Sequence, residues 1–311
     1  FGSYPEYDDD APVTPPNPAA APGAPWALVN SNATSPYNDA AAARGFWHYV
    51  AFVTDACGNV STVSNMTGGT LNYLLGDVSN GITAGVGNNK VYTEDISLLG
   101  SHYGISGEVA VDAFDYLDVG PTLTGAANAR PKPDDKVNFE DLIIFAINYG
   151  TPGAQLVAPG AGPVADADAI TVSTPSAVSG GSTFTVELRV KGAGDIQGLT
   201  SQLAWDATVA SPVSVRAGEL LAAADGVAFS AQPGNVDVAL LGSRRQGLSG
   251  EGVLAVVTFR ALTSGDPKVS LARVEARDAA NRPVALGGLP QGTAMPGETM
   301  LFPVAPNPFR T

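Results

Sequence analysis

Apolar and polar residues alternate along much of the chain after residue 180, which is the pattern of strands in a two-layered β structure. The alternation is clearest from Thr183 to Val190. Further segments of this kind are found at 199–205, 236–241, 253–259 and 269–274. Gly, Asp and Ser separate these segments at spacings typical of a sandwich or jelly roll. The pattern therefore predicts an all-β domain in the C-terminal part of the chain.

The middle of the chain has a helical period instead. Two short segments carry apolar residues at positions i, i+3 and i+7. These residues are Ile96, Leu99 and Tyr103 in the first segment and Leu142, Phe145 and Tyr149 in the second. Gly104 and Gly150 follow directly and suit a left-handed helix end. The second segment also contains Ile143, Ile144 and Ile147, so we expect the second helix to be more buried or to carry an interface.

Near the N-terminus, residues 46–56 are largely apolar on both faces, which predicts a central strand. The dipeptide Gly58-Asn59 favours a turn into a second short strand. Residues 1–25 are rich in Pro, Ala and Asp and are expected to be an extended or disordered lead. The chain opens at Phe1 without a basic and hydrophobic leader, so we expect a mature form or a fragment.

Composition narrows the class of protein. The chain has 30 Asp and Glu residues against 16 Lys and Arg, which disfavours nucleic acid or an anionic membrane as a partner. The 36 Gly and 24 Pro among 311 residues indicate many turns and several small β-rich modules. Cys57 is the single cysteine, so metal is the expected staple in place of a disulfide. The chain contains no run of about 18 apolar residues, so we expect no membrane span.

The sequence contains no recognisable catalytic motif. His48 and His102 are the two histidines, and each is more simply a packed or surface residue than a base. Nucleophile elbows, paired cysteines, metalloprotease motifs and phosphate loops are absent. Sugar binding by aromatic platforms is a further possibility, but Trp26, Trp47 and Trp205 are more simply strand or core residues. We therefore expect a non-enzymatic protein.

The pattern Lys-Val-x-x-Glu-Asp precedes both helices, beginning at Lys90 and again at Lys136. An Asp-Val pair lies upstream of each copy, at Asp77 and at Asp118. Calcium needs six to eight oxygen ligands, and an oxygen-rich loop that ends at an acid opening a helix can supply them. The repeat therefore predicts two Ca²⁺ sites, one in each copy.

Alignment with a twelve-residue calcium loop selects the candidate metal ligands. They are Asp77, Ser79, Asn88, the Lys90 carbonyl and Asp95 in the first copy, and Asp118, Asp134, the Lys136 carbonyl and Asp141 in the second. The loops exceed the standard length by about seven and about twelve residues. Val91 and Val137 are expected to lie side by side in the β-bridge that couples paired loops.

The alternative is that these acids only cap helices, because negative charge in a first helical turn is favourable without metal. Capping alone explains neither the Asp-Val starts nor the constant offset of the repeat. We therefore favour calcium.

The repeat resembles a dockerin, a tandem calcium-loop module. The resemblance rests on Gly76-Asp77-Val78, Asp95-Ile96, Asp118-Val119 and Asp141-Leu142, and the insertions make it a divergent member. It implies a small helical module stabilised by calcium.

Residues 164–290 resemble a cohesin, the β-sandwich that binds dockerins. The motifs that carry this resemblance are Ser179 to Phe184, Gly198-Leu199, Leu203-x-Trp205-Asp206, Val213 to Leu221, and Gly250 to Ala255 with Phe259. Residues 46–65 resemble the last two strands of a fibronectin type III domain. Pro306-Asn307-Pro308-Phe309 resembles the opening of sorting or anchoring domains on bacterial surface proteins.

The expected fold is mainly β, with two β-sandwiches joined by a small helical calcium-loop module. The expected order is a partial fibronectin type III-like sandwich (1–70), a dockerin-like module (71–150), a linker (151–163), a cohesin-like sandwich (164–290) and a C-terminal strand or sorting-like segment (291–311).

These expectations favour an extracellular, self-associating assembly protein. Head-to-tail contact between the dockerin-like and cohesin-like modules could build a homo-oligomer or filament, or the partner could be another cohesin-bearing or dockerin-bearing protein. Strand donation by Thr299 to Val304 offers a second route. The alternative is an accessory tail that anchors a secreted hydrolase, whose catalytic domain would lie upstream.

Overall fold

The computed structural model describes Tyr7 and residues 14–18, 22–41, 43–150, 168–242 and 247–287. The predicted linker at 151–163, the C-terminal segment at 291–311 and the donor strand from Thr299 to Val304 lie outside the described residues. In the described part of the chain, no helix is long and apolar enough to cross a membrane.

Helices are concentrated in the middle of the chain and strands in its C-terminal part. The helices are α1 (Thr93–Ser101), α2 (Glu108–Val111), a 3₁₀ helix (Asp112–Leu117), α3 (Phe139–Asn148) and α4 (Glu219–Ala223). The strands are β1 (Phe46–Trp47), β2 (Thr70–Leu71), β3 (Ala169–Ser173), β4 (Thr183–Ile196), β5 (Gly198–Ala204), β6 (Ala210–Ala217), β7 (Gly226–Phe229), β8 (Asn235–Leu240), β9 (Leu248–Ala261), β10 (Ser270–Arg277) and β11 (Pro283–Val284).

The strands from β3 onward form a sandwich of two antiparallel sheets, ordered β11-β10-β5-β8-β7 and β3-β4-β9-β6. All five predicted strand segments of this region are present. In β4, Val186, Leu188 and Val190 are buried while the residues between them are partly exposed. This alternation turns one face of each sheet toward the other, which is why the sequence pattern identified the strands.

The sandwich core is centred on Phe259, which is fully buried. Its ring stacks on Phe184 with centroids 5.5 Å apart and meets Trp205 edge to face at 5.9 Å. Such pairs stabilise a core beyond the burial of their apolar area. Trp205 is therefore a packing residue, as the sequence predicts.

Helices α1 and α3 lie where the apolar spacing predicts them. Tyr103 and Tyr149 fall just beyond the ends of the two helices. Every residue of α3 from Asp141 to Ile147 is buried, which confirms the expectation of a more buried second helix. His102 packs against Phe114 with ring centroids 3.9 Å apart, so it is a packed residue.

The two copies of the repeat exchange their pairing partners. Gly150 donates its backbone N–H to the Val91 carbonyl at 2.9 Å, and Gly104 donates to the Val137 carbonyl at 2.8 Å. Each loop therefore pairs with the end of the helix in the other copy. The prediction that Val91 and Val137 pair with each other is wrong, because each valine is already bonded to the opposite helix end.

The N-terminal region contains an irregular hairpin rather than a central strand. Only Phe46–Trp47 pairs regularly, with Thr70–Leu71, and Val53 is 71% exposed. Beyond this pair, Ser61 and Ser64 donate backbone N–H groups to the carbonyls of Val53 and Ala51.

The prediction of a strand over residues 46–56, buried on both faces, is therefore wrong. Between these two hydrogen bonds one segment moves by three residues, from Ser61 to Ser64, while the other moves by two, from Val53 to Ala51. A regular antiparallel ladder therefore cannot form. Serine hydroxyls replace the missing backbone acceptors for the amides of Val53 and Ala51. In the described residues this region is a hairpin, and the partial fibronectin type III-like sandwich stays a prediction.

Candidate interaction surface and acidic loops

The outer face of the sheet formed by β5, β8 and β7 is covered by the helical repeat. In β8, Val236, Val238 and Leu240 face the sandwich core, so Asp237 and Ala239 must face outward. Both outward residues are nevertheless 1% exposed. Ala239 belongs to the apolar cluster of the repeat and not to that of the sandwich. This strand is therefore buried on both sides.

Small residues on the sheet make room for helix α3. A Cβ atom added at Gly198 would lie 2.7 Å from the Ile143 Cδ1 atom and 3.3 Å from the Phe139 Cε2 atom. The Gly242 N–H donates to the Ala146 carbonyl at 2.8 Å, so the end of α3 is also joined to the sandwich through backbone. The interface described by these contacts is called the repeat–sheet interface below.

The end of helix α1 forms the second part of the repeat–sheet interface. The Tyr103 and Phe229 rings lie 4.9 Å apart, and a Cβ added at Gly100 would lie 2.8 Å from the Phe229 ring. Gly104 approaches the Ala231 backbone so closely that a side chain there would clash. Glycines near the C-terminal end of α1 thus allow it to lie against β7.

Asp237 is the polar centre of this interface. Its carboxylate accepts the Tyr103 hydroxyl at 2.9 Å, the Asn235 amide at 3.2 Å and the Thr200 hydroxyl. Burial raises the pKa of Asp237 to about 6, and the three hydrogen bonds oppose that rise. Burial also raises the pKa of Tyr103. A buried carboxylate with three directed donors fixes the register of the repeat on the sheet.

A groove of about 680 Å³ lies beside this contact, between the second loop and the sheet. Its walls include Lys136 and Glu140 from the repeat and Gln202, Gln232 and Arg273 from the sandwich. Its surface is polar and apolar in nearly equal parts, and it contains no arrangement typical of a catalytic base and nucleophile.

The acids that open the helices bind backbone amides. Asp95 accepts the N–H groups of Val78, Ser79 and Tyr92, each at 2.8 Å. Asp141 repeats this arrangement and also accepts three N–H groups at 2.8 Å. Its donors are Val119, Gly120 and Asn138. Each acid caps its helix and fastens the start of its loop to it, so the capping interaction that the sequence left as an alternative is present.

Burial raises the pKa of Asp95 to about 6 and that of Asp141 well above the ordinary range for a carboxyl group. The backbone N–H groups act in the opposite direction because they stabilise the carboxylate.

The first acid of each loop is held differently in the two copies. Asp77 accepts the N–H groups of Asn88 and Asn89 at 2.8 Å and forms an ion pair with Arg44. Both side chains of this ion pair are 0% exposed. Asp118 accepts the Asp134 N–H at 3.2 Å and has no such cation beside it among the described residues.

In the second loop, the positive charge is supplied at the surface. Lys136 donates its ammonium group to Asp134 at 2.5 Å, and the lysine side chain is 53% exposed. Burial raises the pKa of Asp118 to about 6, and the charge of Asp134 adds to the rise. The hydrogen bond to Asp134 raises the pKa of Lys136.

The donor set does not fit calcium in the first loop. Two donors already reach one oxygen of Asp95 and one oxygen of Asp77, and the Ser79 hydroxyl accepts the Gly81 N–H at 3.1 Å. The Lys90 ammonium group lies 5.8 Å from the centre of the Tyr92 ring. Across the described residues, no group of three or more His, Cys, Asp or Glu side chains has an arrangement that could hold a metal ion. Calcium in the second loop stays a prediction.

Sequence reasoning missed Arg44, Gly87 and Asp237, and it named Gly198 only as part of a cohesin-like motif. One sequence feature could have indicated the role of Asp237, because it is a charged residue within an apolar strand. No sequence feature indicated the role of Arg44, because it lies in a segment assigned to another module.

Residues 169–281, about a third of the chain, match the family model of the cohesin domain, so this part of the chain is a protein-interaction module of the cohesin class. No curated protein matches the chain. The predicted resemblance to a cohesin is thus confirmed for residues 169–281.

The chain is also similar to solved cohesin structures. A non-cellulosomal cohesin from the archaeon Archaeoglobus fulgidus has 20% identity and a TM-score of 0.31, with 39% of this chain and 85% of that chain covered. The sixth cohesin of scaffoldin B from Acetivibrio cellulolyticus, solved in complex with the Cel5 dockerin, has 20% identity and a TM-score of 0.33, with 39% and 93% covered. A cohesin module from a Clostridium perfringens family 33 glycoside hydrolase has 15% identity and a TM-score of 0.32, with 39% and 90% covered.

Proposed function

We propose that this chain is a non-enzymatic, extracellular assembly protein in which the cohesin domain holds a loop–helix repeat on the outer face of β5, β8 and β7. The observation that carries the proposal is the burial of Asp237 and Ala239 on a sheet face that would otherwise meet solvent. Cohesin domains bind dockerins and occur in extracellular scaffold proteins. A dockerin-like repeat on this face agrees with that role.

The repeat on the sheet belongs to the same chain, so a single molecule closes on itself through the repeat–sheet interface. The same contact between two chains joins the repeat of one copy to the sheet of the next. Such a contact is heterologous, and repetition gives a ring or a filament. The Tyr103 hydroxyl and the Asp237 carboxylate, 2.9 Å apart, would specify the register in either arrangement.

Gly198→Leu tests this proposal because the added side chain would occupy the space of Ile143 and Phe139. The backbone of Gly198 is not in the left-handed region, so leucine is conformationally allowed there. Ala204→Leu is the matched control, since it adds a leucine to an exposed position of the same strand.

The full chain and both variants are refolded at increasing protein concentration and measured by light scattering and small-angle X-ray scattering. We expect the wild-type chain and the Ala204 variant to change from closed monomers to oligomers as concentration rises. The Gly198 variant is expected to stay monomeric with a larger radius of gyration. A wild-type chain that is monomeric at every concentration, or a Gly198 variant that associates like the wild type, contradicts the proposal.

A further inference from the structure

Arg44 lies inside the first acidic loop although it is remote from that loop in sequence. Its guanidinium group donates to the Asp77 backbone carbonyl at 2.5 Å and pairs with the Asp77 carboxylate. The same carboxylate accepts the N–H groups of Asn88 and Asn89. One cation thus holds the residue that joins the early and late halves of the loop. This is the task that a bound metal performs in a calcium loop.

The loop also provides space for the guanidinium group. A Cβ atom added at Gly87 would overlap the Arg44 Nη2 atom and crowd the Asp77 carboxylate. The backbone at Gly87 does not itself require glycine, because its φ is not in the left-handed region. The absence of a side chain is therefore needed for the cation and not for the turn. Tyr73 completes the site, with its ring centre 5.0 Å from the Arg44 Cζ atom.

The second loop has the corresponding acid but not the corresponding cation. Asp118 accepts only backbone N–H groups among its described hydrogen bonds. The Asp134 Oδ1 atom is buried and has no hydrogen-bond partner within the described residues. The nearby Lys136 is largely exposed, whereas Arg44 is fully buried. Of the two loops, only the first therefore holds a buried cation within the described residues.

We propose that Arg44 takes the place of calcium in the first loop, so that this loop is ordered without metal. The first loop then carries its positive charge within the polypeptide. The ordering of the first loop is independent of closure and assembly through the sheet, because neither Arg44 nor Asp77 belongs to the repeat–sheet interface.

The first experiment is a calorimetric titration of the full chain with calcium after treatment with a chelator. We expect the number of ions bound per chain to be the same for the wild type and for Asp77→Asn. Binding of an ion by the wild type that is lost on Asp77→Asn overturns the proposal.

The second experiment measures amide hydrogen exchange in chelator, at the amides of Asn88 and Asn89. We expect protection in the wild type without calcium, because Arg44 keeps the Asp77 carboxylate in place. Arg44→Met removes the charge, and Gly87→Ala keeps every charge but fills the guanidinium space. Each is expected to raise the exchange rate of these amides about 100-fold, since breaking a buried ion pair leaves an uncompensated charge.

Arg282→Met is the matched control, because Arg282 forms an ion pair whose arginine side chain is 60% exposed. We expect it to leave exchange at Asn88 and Asn89 unchanged. Wild-type amides that are unprotected in chelator and become protected only with calcium overturn the proposal, and this result does not require any variant to fold. Unchanged exchange in both Arg44→Met and Gly87→Ala also overturns it.

Discussion

The buried carboxyl group of Asp237 makes the stability of the closed chain depend on pH. Its pKa is raised from an ordinary value of 3.8 to about 6. Below about pH 4 the group is protonated in both the folded and the unfolded chain. Between pH 4 and 6 the folded chain keeps a proton that the unfolded chain has lost. The stabilisation that this proton gives is therefore complete below pH 4 and is lost as pH rises through 6.

The size of the effect follows from the shift in pKa. A difference of about two pKa units corresponds to about 3 kcal/mol, since one unit is about 1.4 kcal/mol. Asp237 is almost fully buried, so solvent does not reduce this figure by screening. Asp237→Asn removes the titration and keeps an oxygen for one of the two hydroxyls, since Tyr103 and Thr200 donate to different carboxylate oxygens. We therefore expect the variant to gain about 3 kcal/mol relative to the wild type between pH 4 and 7.5.

The assay is urea unfolding of both proteins across this pH range, with the difference between their free energies of unfolding plotted against pH. Ser249→Ala, an exposed change in the opposite sheet that removes no titratable group, is the control and should give a flat difference. A ¹³C NMR titration of the Asp237 carboxyl carbon measures the pKa directly. A pKa near 4, or a difference between Asp237→Asn and wild type that does not vary with pH, refutes the reasoning.

Three further substitutions test the packing and the interface by urea unfolding. Tyr103→Phe removes a donor to the buried Asp237 carboxylate, so we expect a loss of about 1.5–3 kcal/mol at pH 7.5 and a further rise in the Asp237 pKa, followed by NMR. Phe259→Ala leaves a cavity at the centre of the sandwich, with an expected loss of about 3–5 kcal/mol. Asn148→Ala leaves the carbonyls of Leu75 and Ala127 without their shared donor, with an expected loss of about 1–3 kcal/mol. A loss of unfolding free energy below about 0.5 kcal/mol contradicts the stabilising role assigned to the contact that the substitution removes.

The strands of the sandwich were predictable because alternation along a strand reports the core that the same domain builds. Val236, Val238 and Leu240 identify β8 without any knowledge of the rest of the molecule. The burial of Asp237 could not be predicted in this way, since a helix from another module covers that face. A polar residue on the outer face of a strand normally meets solvent, and sequence alone does not show what covers it.

The duplicated acidic loop could also be recognised from the sequence. The cation that pairs with Asp77 in the first loop could not. The spacing of Asp95 and Asp141 before two helices indicated a duplicated loop, and both helices are present. Arg44 changes the electrostatics of the first loop through a contact with Asp77 across different predicted modules. The central strand predicted near the N-terminus failed because apolar content was taken as burial, although Val53 is largely exposed.

The crossed pairing of the two loops has a consequence for the order of events during synthesis. Val91 bonds to Gly150, and Val137 bonds to Gly104. When the ribosome has made the first copy alone, the Val91 carbonyl still lacks the amide that closes it. That hydrogen bond can therefore form only after residue 150 has left the ribosomal tunnel, and each copy has its full set of backbone partners only when both copies have been made.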